Sequence, residues 1–443
     1  MPLTPFRPTL AALAAALAFA ATPAAHAQSL KELYEAARAY DASYLAARAL
    51  ADSAQYRAEQ SEALGRPSAA LRANAGSNWV DPPRFSAGSS NSAGASLNGS
   101  YPLFNRANGV TIEQARRSLA SAQADLDSAE QDLIVRVAQG YFDVLASQDA
   151  LNTTRASKAA ITEQLASAKR NFEVGTATIT DTREAQARFD LAVAQELAAE
   201  NDLRTKRIAL DQLVGRSGIA PKGLAAPVTL PPPMPANAEE WVSVADQQHP
   251  TVRKARVGLD VATLETSKAR AAGLPTVDAT ASVGLSRVGG SSPTVSLPGN
   301  TTSAGIGVQM NWPLYTGGLT QNRIKETLSL EEKAKNDVEA ARRGVAQGTR
   351  VAFFGLQSQL AQVKALEAAE SSSKLALEAT QLGYKVGVRV NLDVLNAQTQ
   401  LFQTQRDLAK ARYDALVNSL RLRQASGQLA PTDIDAVNNL LAK

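Results

Sequence analysis

Cysteine is absent from this chain of 443 residues, which excludes disulfides, thiolate metal sites and a lipid anchor on an N-terminal cysteine. Histidine is almost absent too, with only His26 and His249. Without Cys–His pairs or His clusters the usual nucleophile–base sets and metal centres cannot be assembled, so no enzyme activity and no cofactor are expected. His249 stands before Pro250, where a helix start gives it a structural role. No Gly-Lys-Ser/Thr loop is present to cradle a nucleotide phosphate, so any work done would draw its energy from a partner. Aromatic residues make up only 5% against 44% hydrophobic and 20% charged residues. That balance favours long, slender helices over a thick core. The net charge of +4 comes from Lys and Arg interleaved with Asp and Glu, the pattern of a solvated helix surface and not of a nucleic-acid site.

Long apolar runs are also lacking. The one candidate is at the start, where Arg7 precedes an Ala/Leu/Phe run over 10–21 and Ala25-His26-Ala27 follows. This is the layout of a secretory signal over 1–27, with cleavage expected after Ala27. The run is shorter than the roughly 20 residues a membrane helix needs, and nothing later approaches that length. If the exported chain crosses a membrane, it must do so with strands.

What is present is one unit written twice. Phe172-Glu173-Val174-Gly175 with Thr180-Asp181 returns as Tyr384-Lys385-Val386-Gly387 with Leu392-Asp393, about 212 positions on. Tyr101-Pro102-Leu103-Phe104 returns as Trp312-Pro313-Leu314-Tyr315, and Pro67-Ser68 as Pro275-Thr276. The first repeat is expected over 28–214, with a helix from about 29–64, strands near 68–80 and 92–104, a long helix over 106–172 and a returning helix over 177–214. A Pro-rich linker over 215–238 leads to the second repeat, 239–427. Its strands are expected near 276–288 and 302–315, its long helix over 317–384 and its returning helix over 389–426. A segment over 428–443 closes the chain.

The four strand segments alternate with period two, apolar on one face and small or polar on the other. Each reaches the 9–11 residues of a tilted membrane strand, and Trp79, Tyr101, Trp312 and Tyr315 toward their ends form a candidate aromatic girdle. Four strands cannot close a lipid-facing barrel, and bare edges in hydrocarbon cost several kcal/mol per backbone group. A barrel would therefore need at least two copies, and three would give twelve strands. A pair of hairpins on a soluble sheet is the other reading of the strands alone. In the helices, Ile112, Leu119, Leu126 and Leu133 recur every seven residues, as do Val394, Leu401, Leu408, Ala415 and Leu422. That is a coiled-coil seam, and at 1.5 Å per residue the first long helix would run roughly 100 Å. Two helical hairpins per chain could continue a pore as a tube, or serve as a periplasmic coiled-coil scaffold without a barrel. At the hairpin turns Val174-Gly175 and Val386-Gly387 reverse the chain, with Thr180, Asp181 and Asp393 just inside the returning helices, where capping is the plain role.

The stretch from Asn171-Phe-Glu-Val-Gly-Thr-Ala-Thr-Ile-Thr to Asp181 resembles a periplasmic turn of the TolC family, as does Gly383-Tyr-Lys-Val-Gly-Val-Arg-Val-Asn-Leu-Asp-Val-Leu to Asn396. The tail from Ala411-Arg-Tyr-Asp to Asn438-Asn-Leu-Leu is similar to that family as well. The resemblance covers nearly all of the expected mature chain. It implies an α+β membrane protein: a trimeric 12-stranded β-barrel, four strands per chain, continued by a 12-helix coiled-coil α-barrel, with the linker and the 428–443 segment in an equatorial belt. It implies an exit duct in the outer membrane with a long periplasmic extension, serving drug efflux or type I secretion. Its partners would be two further copies, outer-membrane lipid, a periplasmic adaptor and an inner-membrane transporter of RND or ABC type, with no nucleic acid. By motif position, the gate links would involve Tyr384 and Arg389, with Thr180 and Asp181 as acceptors. Asp393 would form an acidic ring at the entrance, while the second ring position, acidic in the family, is Asn396 here.

Overall fold

The computed structural model describes residues 28–81, 83, 87–225, 230–291 and 298–442, so the expected signal segment lies outside the described residues. The elements are α1 (Leu30–Tyr40), α2 (Ala42–Glu62), β1 (Ser68–Val80), β2 (Gly88–Phe104), α3 (Arg106–Glu173) and α4 (Ile179–Val214). The second repeat supplies α5 (Ala238–Gln248), α6 (Pro250–Ala271), β3 (Thr276–Gly290), β4 (Gly299–Asn311), α7 (Leu319–Lys385), α8 (Asn391–Ala425) and α9 (Thr432–Asn438). No described helix is long and apolar enough to cross a membrane. The chain forms two compact units that cut across the repeat, one of Ala46–Ser128 with Asp246–Gln347, the other of Met1–Leu45, Ala129–Ala245 and Gly348–Lys443.

The first of these holds the sheet. Its four strands run antiparallel in the order β1-β2-β3-β4, so the two repeats meet where β2 pairs with β3. Register places Leu71, Leu97, Val283 and Ala304 in one row, and Ala69, Gly99, Ala281 and Ile306 in the next. The same face carries Trp79, Leu285, Val308 and Met310, and these large apolar side chains are exposed, Ile306 at 93%. The opposite face is mostly Ser, Thr, Asn, Gly and Gln, with Ala70, Val80, Pro102 and Val288 among them and Arg72 and Asp278 as its charges. Glycine there answers to crowding: a Cβ at Gly284 would stand 3.3 Å from that of Ser96. Pairing of β2 slips between Pro102 and Phe104, since proline offers no N–H to the ladder. The last strand ends at Asn311, four residues short of the expected 315, so Trp312 and Tyr315 lie beyond it. Pro313 stops the ladder, and Gly317 and Gly318 take positive φ on the way into α7. No strand pairs with the outer edge of β1 or of β4 among the described residues. Helices α3 and α6 of this unit are registered by polar links, Gln114–Glu265 at 2.9 Å, Lys254–Asp125 at 2.8 Å and Arg253–Asp127 at 2.9 Å. Being exposed, the ion pairs among them fix alignment more than they add stability.

In the other unit the helix expected over 29–64 is broken at Asp41, which takes an extended backbone. Its carboxylate accepts from the Tyr44 N–H at 2.8 Å and from Arg136 at 2.9 and 3.1 Å. Arg136 on α3 holds the Asp41 carboxyl well below the usual carboxylate range. A cap and a tertiary ion pair thus override helix propensity. The buried Tyr141 hydroxyl shares its one proton between the carbonyls of Gln28 (3.1 Å) and Lys222 (2.9 Å), tying the start of the described chain to the linker. Along α8 the seven-residue series Val394, Leu401, Leu408, Ala415 and Leu422 is buried throughout.

Candidate functional site

The two helical turns reverse the chain by the same local device. Helix α3 ends with Gly175 at φ +78°, whose N–H donates to Phe172 O at 3.0 Å, while the Thr176 N–H donates to Asn171 O at 2.8 Å. Helix α7 ends with Gly387 at φ +84°, its N–H on Tyr384 O at 3.1 Å and the Val388 N–H on Gly383 O at 2.9 Å. Both are Schellman caps, with the left-handed residue that glycine alone adopts without strain. Val174, Val386 and Val388 around them are exposed, Val388 at 75%.

The returning helices start differently. Thr178 caps α4 in a reciprocal box: its hydroxyl accepts from the Asp181 N–H at 3.2 Å, and the Asp181 carboxylate accepts from the Thr178 N–H at 2.9 Å and hydroxyl at 2.7 Å. At the matching place in α8 stands Val390, which has no side chain able to cap. Asp393 there faces Arg389 at 3.6 Å. Arg389 lays its stem over Gly383, where a Cβ would come within 2.8 Å of the Arg389 Cγ.

Contacts between the two hairpins join residues of the turn motifs to others that the motifs did not include. Leu395 is 1% exposed and packs among Ile161, Leu165, Ala168, Ala185 and Ala192. The Asn171 amide donates to the Tyr384 hydroxyl at 3.0 Å, the Gln164 amide donates to Asn391, and Arg188 donates to the Asn396 side chain at 3.0 Å. Of the residues expected at the gate, Tyr384 therefore meets Asn171, Arg389 meets Asp393, and Asp181 is engaged by Thr178. Within one chain no hydrogen bond or ion pair joins Tyr384 or Arg389 to Thr180 or Asp181 among the described residues. Asn396, standing where the resemblance leads one to expect an acid, presents an amide that an arginine reads. Arg188 and Gln164 carried no signal in the sequence, because neither recurs in the other repeat at its offset. His249 caps α6, its Nδ1 accepting from the Thr251 N–H at 3.1 Å.

The family model described as outer membrane efflux protein matches residues 33–216 and 241–428. The chain belongs to the outer membrane efflux protein family. The two matched stretches correspond to the two repeats. Among relatives, the outer membrane protein TolC of Vibrio cholerae is 34% identical over 420 residues, covering 93% of each chain. The alkaline protease secretion protein AprF of Pseudomonas aeruginosa is 35% identical over 70% of this chain and 64% of its own. The crystal structure of the outer membrane protein VceC of Vibrio cholerae superimposes with a TM-score of 0.76 at 21% identity, covering 90% of this chain and 96% of that one. The fold is thus that of outer-membrane channels, four strands and long helices per chain. The protein is an outer-membrane exit duct for efflux or secretion, with its helices as a periplasmic extension. The relatives named here are named as outer membrane and secretion proteins, and none is named as an enzyme.

Proposed function

We propose that three copies close a twelve-stranded barrel in the outer membrane, apolar face to lipid and polar face to the lumen, with the helical hairpins as the periplasmic entrance of the duct. The observation that carries this is the sheet: one face largely apolar and exposed, the other largely polar, and both edges unpaired among the described residues. Trp79 and Tyr101 lie on the apolar face twelve residues apart in register. That is about 40 Å along the strands, or about 28 Å at a tilt of ~45°, close to the ~25 Å apolar band of such barrels. Trp312 and Tyr315, just past β4, extend the girdle at the end where the helices begin.

The helical turns form the gate. Tyr384 is held to the first hairpin through Asn171, and Arg389, exposed and only loosely paired with Asp393, can exchange that pair for acceptors on a neighbouring copy, Thr180 and Asp181. Asp393 supplies a single acidic ring, weakened by Arg389 at 3.6 Å and without a second ring at Asn396. Exposed Val174, Val386 and Val388 around Gly175 and Gly387 offer a periplasmic adaptor an apolar seat. An inner-membrane transporter of RND or ABC type would drive transport through that adaptor. Cargo of both kinds, drugs and secreted polypeptides, fits relatives named for efflux and for protease secretion.

The test is oligomeric state and conductance of the purified mature chain. A detergent-dependent trimer that forms pores in planar bilayers is expected. A monomer that stays in solution without any amphiphile would end the duct reading in favour of a periplasmic scaffold. Replacing Tyr384 by Phe and Arg389 by Ser together should raise conductance, and an unchanged value would remove both from the gate. Trivalent cations should block the current more weakly than in a duct with two acidic rings.

A further inference from the structure

We propose that Arg72 is a specificity-determining residue of the barrel lumen, making its middle favourable to anionic solutes and to anionic groups on cargo. The inference rests on the reading that three copies close with the polar face inward. Arg72 is the only charged residue in β1, and neither β2 nor β4 contains any. Register puts it in a row with Ser96, Gly284 and Ser303, between the levels of Trp79 and Tyr101. Its side chain is thus exposed on the polar face near the middle of the span, and it takes no hydrogen bond or ion pair among the described residues. Around it stand Asn74, Ser96 and Asn98, the Asn98 amide donating to the Ser96 hydroxyl at 3.0 Å.

No carboxylate lies close enough to cancel the charge. Asp278 is on the same face but six residues along β3 from Gly284. That is about 20 Å, twice the ~10 Å screening length in 0.1 M salt. Arg287, the remaining charge of the sheet, is on the apolar face in the row of Ala75 and Ala93. The outer edge of β1 receives β4 of the neighbouring copy when the barrel closes. Because β4 has no ionisable side chain, no register of that pairing can supply an acid. Small neighbours such as Gly94 and Gly284 leave the guanidinium the longest group on its face. Three copies then give three uncompensated positive charges at one height. The entrance acid, the half-buried Asp393, is paired with Arg389 in its own chain, whereas Arg72 has no such partner among the described residues.

The native chain has no cysteine, so one introduced thiol reports alone. Ser96→Cys places a thiol directly across from Arg72, about 5 Å away at Cβ. In the detergent-solubilised oligomer, the rates of its reaction with a sulfonate-bearing and a trimethylammonium-bearing methanethiosulfonate are compared. The anionic-to-cationic rate ratio should fall about fivefold on adding Arg72→Gln in ~0.01 M salt, and the difference should vanish near 1 M, where screening shortens to ~3 Å. Arg72→Lys should keep the ratio. Leu97→Cys, the next residue but on the apolar face, should resist both reagents. If Leu97→Cys reacts as fast as Ser96→Cys, the face assignment fails and the proposal with it. If only Ser96→Cys reacts and its ratio ignores Arg72→Gln, the barrel stands and the role of Arg72 is refuted.

Discussion

The two hairpin turns are copies that have diverged at one functional point. Both end their long helices on a left-handed glycine with the same pair of backbone hydrogen bonds, Gly175 with Thr176 and Gly387 with Val388. After that they part. The first turn caps itself, since Thr178 and one carboxylate oxygen of Asp181 close a capping box. The second places Val390 where the cap should be, Asn391 (4% exposed) where the first has Ile179 (50%), and Leu395 where the first has exposed Arg183. Polar and apolar positions are exchanged between copies. The first turn is built to stand alone, and the second to dock onto it. Repetition supplies the turn, and divergence supplies the contact between hairpins.

The docking contact should show the largest asymmetry. Leu395→Ala empties a buried site and should cost about 2–4 kcal/mol of hairpin stability, whereas Arg183→Ala at the matching place should stay within about 0.5 kcal/mol. Denaturant unfolding of the solubilised oligomer, read beside hydrogen exchange of α8, measures both. Equal losses would mean that the second hairpin is not the docked one. Next come the glycines. Gly175→Ala and Gly387→Ala should each strain their turn by about 1–2 kcal/mol, about tenfold in local amide exchange at Thr176 or Val388. Here the two copies should respond alike, and a response in only one would break the equivalence of the turns. An exchange of caps sharpens the difference. Thr178→Val should weaken the start of α4 by about 1 kcal/mol, while Val390→Thr should strengthen α8 by up to about that amount by giving Asp393 a box partner.

The sequence reading located these features unevenly. Both turns, the four strands and the long helices follow from local rules: a Val-Gly pair at a helix end, alternation with period two, apolar residues every seven. The break at Asp41 does not, because it is decided by Arg136, which is 95 residues away. The end of β4 at Asn311 was within reach, since Pro313 and the Gly317-Gly318 pair announce it, but the repeat of Tyr101-Pro102 in Trp312-Pro313 drew the expected strand too far. The register that sorts Arg72 and Leu71 onto opposite faces was implicit in the alternation. The contacts of Asn171, Gln164 and Arg188 were not, because each joins residues more than 200 positions apart and follows no spacing rule.

If the turns are the gate as proposed, Arg389 should carry the smallest stability effect and the sharpest functional one. Its pair with Asp393 is long at 3.6 Å, and the Arg389 side chain is 61% exposed, so screening leaves it little to contribute to the fold. Arg389→Gln should therefore move unfolding by no more than a few tenths of a kcal/mol. The same change leaves Asp393 without its counter-charge at a position repeated in every copy. Block of the current by a multivalent cation should then strengthen as the ring becomes fully anionic, and Arg389→Lys should restore the weaker block. Gly383→Ala offers an independent route to the same end, because its methyl group would collide with the Arg389 stem and push the guanidinium off the carboxylate. If Arg389→Gln lowers stability by 1 kcal/mol or more while block is unchanged, the residue belongs to the architecture of the second turn and not to the charge of the entrance.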